Sequence, residues 1–227
     1  MSRFKVQAVK ALTRELPPLG DKSVAFGAFA YMKGAAPFLG VRAPERRKLF
    51  KEIFKSLPIP TSDELGLTAK ALWKLPEREY HYAACDLIDY FIDCADRKFL
   101  ADHVEYLVSH KSWWDTVDTL GSVAISPLTV KYPSVKLMRS WSKSPNMWLN
   151  RAAIQHQRGR KSETDIALLF ELMHQHANES EFFIAKAIGW ALRDLSRIDN
   201  RAVKKFLADH PELDRVAVRE AQKLGFK

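Results

Sequence analysis

Apolar residues recur at helical spacing through nearly every stretch of this chain. Val6, Val9 and Leu12 fall three apart between Phe4 and Leu16, and Pro17-Pro18 then stop the run. The spacing predicts a second helix over about 22–33, ended by Gly34, and an apolar connector at Phe38-Leu39-Gly40-Val41. Ala43-Pro44-Glu45-Arg46-Arg47 opens a third helix with Pro44 at its first turn, and Pro58 and Pro60 close it. Thr61-Ser62-Asp63-Glu64 is a capping signal for the next. Further helices are predicted at about 77–93, 97–109, 115–130, 134–142, 146–159, 163–176, 180–197, 200–208 and 214–224. Strand signals are absent: no alternation is sustained, and no Asn-Gly or Asp-Gly hairpin turn occurs.

A faint repeat overlies this pattern. Trp113, Trp148 and Phe183 lie 35 residues apart and each opens a helix; Arg78, another 35 upstream, keeps the register without the chemistry. Such a period in an all-α chain predicts a curved solenoid of antiparallel helix pairs, each burying its apolar face against its neighbours. The concave face of such a stack is a natural groove for an elongated partner. No Gly- or Ser-rich linker interrupts the chain, so residues 1–227 are expected to form a single domain.

Composition narrows the partner. Lys plus Arg number 36 against 27 acids, a net charge of +9 with a pI near 9.5. A basic folded chain suits a polyanion, nucleic acid first, although a generally basic surface without a specific ligand has the same totals. No apolar run is long enough to span a bilayer, so no membrane role is expected. The N-terminus has no signal-peptide character, and Cys85 and Cys94 are placed poorly for a disulfide, which together suggest a cytoplasmic protein with reduced thiols. His174-Gln175-His176 is the one close histidine pair, read as a solvated helix end. No HExxH or CxxC accompanies it, so no metal is expected; neither a Gly-rich phosphate loop nor a GxSxG elbow occurs, and no cofactor is expected.

Chemistry concentrates in Lys111-Ser112-Trp113-Trp114-Asp115-Thr116-Val117-Asp118. If Asp115 caps the helix that follows, Trp114 and Asp118 project four residues apart from one side of it. An indole beside a carboxylate is a receptor for a cationic, sugar-like species. Core packing of the tryptophans, with a cap and a solvated acid, would explain the same string. Trp148 with Arg151, Trp190 with Arg193, and Tyr31 beside Lys33 add aromatic–cation pairs suited to phosphate and sugar. The plain alternatives are a core position for Trp148, a helix-end charge for Arg193 and a core-edge ring for Tyr31.

Five strings, in order, carry a family resemblance: Phe38-Leu39-Gly40 with Pro44-Glu45-Arg46-Arg47; Leu75-Pro76-Glu77-Arg78-Glu79; Lys111 to Asp115 with Val117-Asp118; Trp148-Leu149 with Arg151-Ala152-Ala153-Ile154; and Phe182-Phe183-Ile184 with Lys186-Ala187-Ile188-Gly189-Trp190. Together they resemble the AlkD family of DNA alkylation-repair glycosylases, built from HEAT-like repeats (an ARM-type α-α superhelix), over about residues 22–221. The resemblance implies hydrolysis of the N-glycosidic bond of N3- and N7-alkylated purines in double-stranded DNA, without a need to flip the damaged base into a pocket. It implies Asp118 as the catalytic carboxylate, Trp114 and Trp190 as its flanking indoles, Arg151 as the phosphate-binding arginine and Tyr31 as a DNA contact. The segment before Tyr31, with Pro17-Pro18, departs from the family pattern. Arg46, Arg47, Arg158, Arg160, Lys161, Arg193 and Arg197 are the basic residues expected along the DNA-binding face. A monomer in the cytoplasm, at the nucleoid of a prokaryote, would suffice. Two other classes stay open: a non-catalytic HEAT-like protein that binds distorted or branched DNA, and a helical scaffold for proteins.

Overall fold

A computed structural model describes residues 2–223; the last residue of the predicted 214–224 helix lies outside them. Among the described residues all regular structure is helical and no strand occurs, as the apolar spacing predicts. The chain divides into two compact units, Met1–Ala124 and Ile125–Lys227.

In the first unit, α1 (Arg3–Glu15), α2 (Lys22–Tyr31), α3 (Ala43–Ser56), α4 (Ser62–Lys74) and α5 (Arg78–Tyr90) precede α6 (Glu105–Ser109) and α7 (Trp114–Leu120). Helix α1 packs on α3 and α4, α4 on α5, and α5 on α7. Thr61 and Glu64 form the expected capping box at the start of α4. The expected face of α1 is rotated: Phe4, Ala8 and Leu12 are buried, whereas Val6 is 44% exposed. Steps of four, ending on buried Leu16, follow the helix more closely than the steps of three read from the valines.

The second unit holds α8 (Ser126–Lys131), α9 (Val135–Ser142), α10 (Met147–Gln155), α11 (Ile166–His174), α12 (Phe182–Ser196), α13 (Asn200–Asp209) and α14 (Arg215–Gln222). Helix α10 packs on α9, α11 and α12, and α12 packs on α13 and α14. One apolar cluster that includes Ile154, Ile184, Ile188, Leu192 and Phe206 joins α10 to α14. Each such side chain removed from water contributes about 1.5–3 kcal/mol before the entropy of ordering it is counted.

Two predicted helices are interrupted. The 97–109 segment is a π-helical turn at Leu100–Val104 leading into α6, and the 115–130 segment breaks at a second π turn, Gly121–Ile125. The 35-residue period reappears as hydrogen bonds of about one repeat's reach. Trp73 Nε1 donates to the His110 carbonyl, Arg139 to Glu171, and buried Ser142 meets His176. His176 is therefore a buried linker rather than a solvated helix end; His174 is exposed and pairs with His210. Buried Glu79 does the same for the 38–41 connector, accepting the backbone N–H groups of Leu39, Gly40 and Val41 at 3.0, 2.8 and 3.2 Å. Gly40 there has φ 88°, and a Cβ on it would come within 2.0 Å of the Asp21 carbonyl oxygen.

Candidate nucleic-acid site

The turn that launches α7 is fixed from several sides. Lys111 adopts a left-handed backbone (φ 49°), which costs a non-glycine residue energy and persists because its surroundings hold it there. Its ammonium donates to the Lys74 and Leu75 carbonyls at 2.9 and 2.8 Å, closing the end of α4. Its own carbonyl accepts from Arg78 Nη1 at 2.7 Å. Arg78, 1% exposed, also donates through Nε and Nη2 to the two oxygens of Asp115, at 3.0 and 2.5 Å, and through Nη2 to Thr116 at 2.8 Å. Tyr82 donates its hydroxyl to the same carboxylate at 2.7 Å.

Asp115 thus does not cap the helix. Trp113 occupies the cap position and makes no side-chain cap bond, and Asp115 is the counter-ion of buried Arg78. The two acids of the motif have separated: Asp115 is committed to the scaffold, while Asp118 stands half-buried on the next turn of α7, four residues beyond half-buried Trp114. Tyr31, 74% exposed, is not a core-edge ring; it meets Trp114 edge-on with centroids 6.3 Å apart. Helix α2, which ends at Tyr31, buries none of its residues and leaves Phe26 76% exposed.

The neighbouring arginines differ from one another. Arg46 is half-buried with its guanidinium 4.2 Å from the centre of the Tyr82 ring, and burial lowers its pKa against the pull of Asp86. Arg47 is exposed. Arg78 Nη1 lies 3.2 Å from His81 Nδ1, so that nitrogen is the acceptor and Nε2–H donates to the Leu75 carbonyl at 3.0 Å. Burial is the chief cause that lowers the His81 pKa to about 4 and keeps the ring neutral.

In the second unit the candidate residues gather around one indole. Arg151, Arg158 and Arg193 place their guanidinium carbons 5.2, 5.7 and 6.0 Å from the centre of the Trp190 ring. Arg151 is buried and donates to the Phe183 carbonyl, Arg193 is half-buried, and Arg158 is exposed. Trp148 is core, as its plainer reading holds, with its ring centroid 4.9 Å from that of Phe183. The Trp190 indole N–H points to Glu220 Oε2 at 3.3 Å.

Residues 12–224 match the family model described as "DNA alkylation repair enzyme". The chain belongs to that family. A solved structure described as "Predicted DNA alkylation repair enzyme from Enterococcus faecalis" is similar to it, with 29% identity and a TM-score of 0.82, over 90% of this chain and 95% of that one. The structure of smu.31 from Streptococcus mutans UA159 shares the fold, at 19% identity and TM-score 0.59 over 80% of this chain and 92% of that one. No curated protein matches the chain. Family membership places the protein in DNA alkylation repair, with DNA as the substrate it is suited to, and the +9 charge agrees.

No helix among the described residues is long and apolar enough to cross a membrane. Cys85 and Cys94 are free, and burial raises the pKa of the Cys85 thiol. A cleft of about 520 Å³ beside Trp190 is lined by Ile154, Leu169, Leu195 and Ile198 together with Arg158 and Lys161. Sequence reasoning passed over Glu220, which lies in α14 together with Arg215 and Arg219. Its signal was the facing Gly189, where a Cβ would come within 2.5 Å of the Glu220 Cβ.

Proposed function

We propose that this chain is a monofunctional DNA glycosylase that hydrolyses the N-glycosidic bond of cationic N3- and N7-alkylated purines in duplex DNA, the first step of base excision repair. The observation that carries this reading is the placement of a carboxylate and an indole one turn apart on α7, in a chain of the DNA alkylation repair family. Asp118 lies four residues beyond Trp114 on α7, one helical turn from the indole, and the bonds of Arg78 and Tyr82 to Asp115 anchor the helix that carries both.

Alkylation at N3 or N7 places a positive charge on the purine. When the C1′–N bond breaks, its electron pair goes to the base, which leaves neutral and needs no proton from a general acid. One carboxylate can therefore serve where ordinary glycosidases use two. Positive charge passes to the deoxyribose as it becomes oxocarbenium-like, and ionised Asp118 stabilises it. Water adds to C1′ and gives up a proton, for which Asp118 is the base. Trp114 is assigned an indole face toward the sugar, which excludes bulk water and strengthens the carboxylate's field, and the resemblance assigns Trp190 the same role. Arg151 is assigned the phosphate of the damaged nucleotide, with exposed Arg158 beside the same indole extending that contact. Tyr31, Arg46, Arg47 and Arg193 are assigned to the DNA contact. With the cation already on the base, the enzyme has no need to draw the lesion into a protonating pocket. The chain acts as a monomer and as one functional domain.

The test is release of free base from duplex DNA carrying N7-methylguanine or N3-methyladenine, by wild type and Asp118→Asn in parallel. Expected is release by wild type and a loss of at least about tenfold in the variant, about 1.4 kcal/mol of barrier, with DNA affinity little changed. Tight binding without release of either base would overturn the enzyme reading in favour of a binder of distorted DNA.

A further inference from the structure

We infer that Glu220, on α14, is a positioning residue that sets the orientation of the Trp190 ring. The inference rests on the reading of Trp190 as an indole that faces the sugar. Glu220 is 1% exposed and sits at the centre of four groups. Its Oε2 accepts the Trp190 indole N–H at 3.3 Å and Arg193 Nη1 at 3.2 Å. Its Oε1 accepts Lys186 and Lys223, both at 2.6 Å. A buried carboxylate pinned by three cations has little freedom to move, so the acceptor it offers the indole is fixed in space.

Packing enforces the same placement independently. Gly189, next to Trp190, has no room for a side chain: a Cβ there would meet Glu220 Cβ at 2.5 Å and the Ala217 carbonyl oxygen at 2.7 Å. Helices α12 and α14 therefore touch backbone to backbone beside the tryptophan, and Glu220 reaches the indole from that contact. Arg151, Arg158 and Arg193 surround the ring at 5.2–6.0 Å without supplying an acceptor for its N–H, since guanidinium groups only donate. Glu220 supplies one, and so fixes rotation of the indole about its Cβ–Cγ bond.

The test uses full-length protein labelled with 5-fluorotryptophan, with the Trp190 ¹⁹F resonance assigned by its loss in Trp190→Phe. Glu220→Ala is expected to shift or broaden that resonance while the Trp73 resonance, in the other unit, stays in place. Glu220→Gln keeps an acceptor oxygen but loses the charge, and should restore the resonance even where thermal stability falls in both variants. If the Trp190 resonance stays in place in Glu220→Ala, or if Glu220→Gln is as perturbed as Glu220→Ala, the ion pairs matter and the indole contact does not, and the inference is overturned. These readouts need no activity, so they stand apart from failure of the glycosylase reading. If wild type does release base, Glu220→Ala should slow single-turnover release at least about fivefold with DNA affinity changed less than about threefold. It should have no further effect in a Trp190→Phe background, which has no indole N–H to hold. An equal loss in both backgrounds would overturn the inference.

Discussion

Replacing Arg78 with Met should release the start of α7 from the rest of the first unit. The side chain makes five hydrogen bonds: two to Asp115, and one each to Thr116, the Lys111 carbonyl and His81. Met fills much of the volume but leaves the Asp115 carboxylate, only 9% exposed, without its guanidinium partner. Removing one member of a buried ion pair costs about 3–5 kcal/mol, because the remaining charge is neither hydrated nor paired. Hydrogen exchange of the α5 and α7 amides reads that cost locally. Protection should fall roughly a hundredfold to a few thousandfold, at about 1.4 kcal/mol per factor of ten. The double variant Arg78→Met/Asp115→Leu removes both charges and should recover to within about 2 kcal/mol of wild type, the remainder reflecting the bonds lost at His81, Lys111, Thr116 and Tyr82. A loss below about 1 kcal/mol in the single variant would refute the argument. So would a double variant no more stable than the single, since stability would then not depend on an uncompensated buried charge.

Three further outcomes follow from burial and ion pairing elsewhere in the chain. His81 and His156 are buried, and their pKa values are lowered to about 4 mainly by that burial, so the unfolded chain binds more protons between its ordinary histidine pKa near 6.5 and pH 4. Stability should therefore fall as the pH drops through that window, by at most about 3 kcal/mol for each ring, and a flat urea-unfolding profile from pH 7 to 4.5 would contradict it. Glu220, whose carboxyl burial alone would raise, is instead lowered to about 2 by the bonds and charges of Lys186 and Lys223; its contribution is present above the unfolded carboxylate range and is lost only further down, through about pH 2. Arg46 and Arg47, adjacent in sequence, should separate in their effects. Arg47→Ala should weaken DNA binding and reduce the salt slope by about one, with stability unchanged, whereas Arg46→Ala should destabilise through loss of packing on Tyr82. Equal effects on stability would contradict that assignment.

Much of the fold was legible because helices announce themselves locally. Apolar spacing, Pro44 near the start of α3 and the Thr61–Glu64 box each act within a turn or two of chain. The π turns at Leu100–Val104 and Gly121–Ile125 were not, since one extra residue per turn leaves almost no mark on hydrophobic periodicity. The site was legible as residue types and not as roles. Asp115 has every local mark of a helix cap, and what removes it from that duty is an arginine 37 residues earlier. Arg78 was visible as a position in the 35-residue register, yet its chemistry differed from Trp113, Trp148 and Phe183, so its place in the repeat concealed its partner. Glu220 was hidden for a related reason. Its three cations come from its own helix end and from a helix about 30 residues upstream, and local pattern sees neither.

The links of roughly one repeat's reach have a consequence for synthesis. Lys111 closes α4, Arg78 fixes the approach to α7, Arg139 holds Glu171, and Arg151 holds the Phe183 carbonyl, so within each unit these bonds join segments that leave the ribosome in close succession. At about 5–20 residues per second, the wait for such a partner is a few seconds. Buried charges such as Arg78 are the groups that would suffer most from a long unpaired interval, and theirs is short. Low sequence separation between partners also favours rapid folding. A chain joined in this way can settle in the order in which it is made.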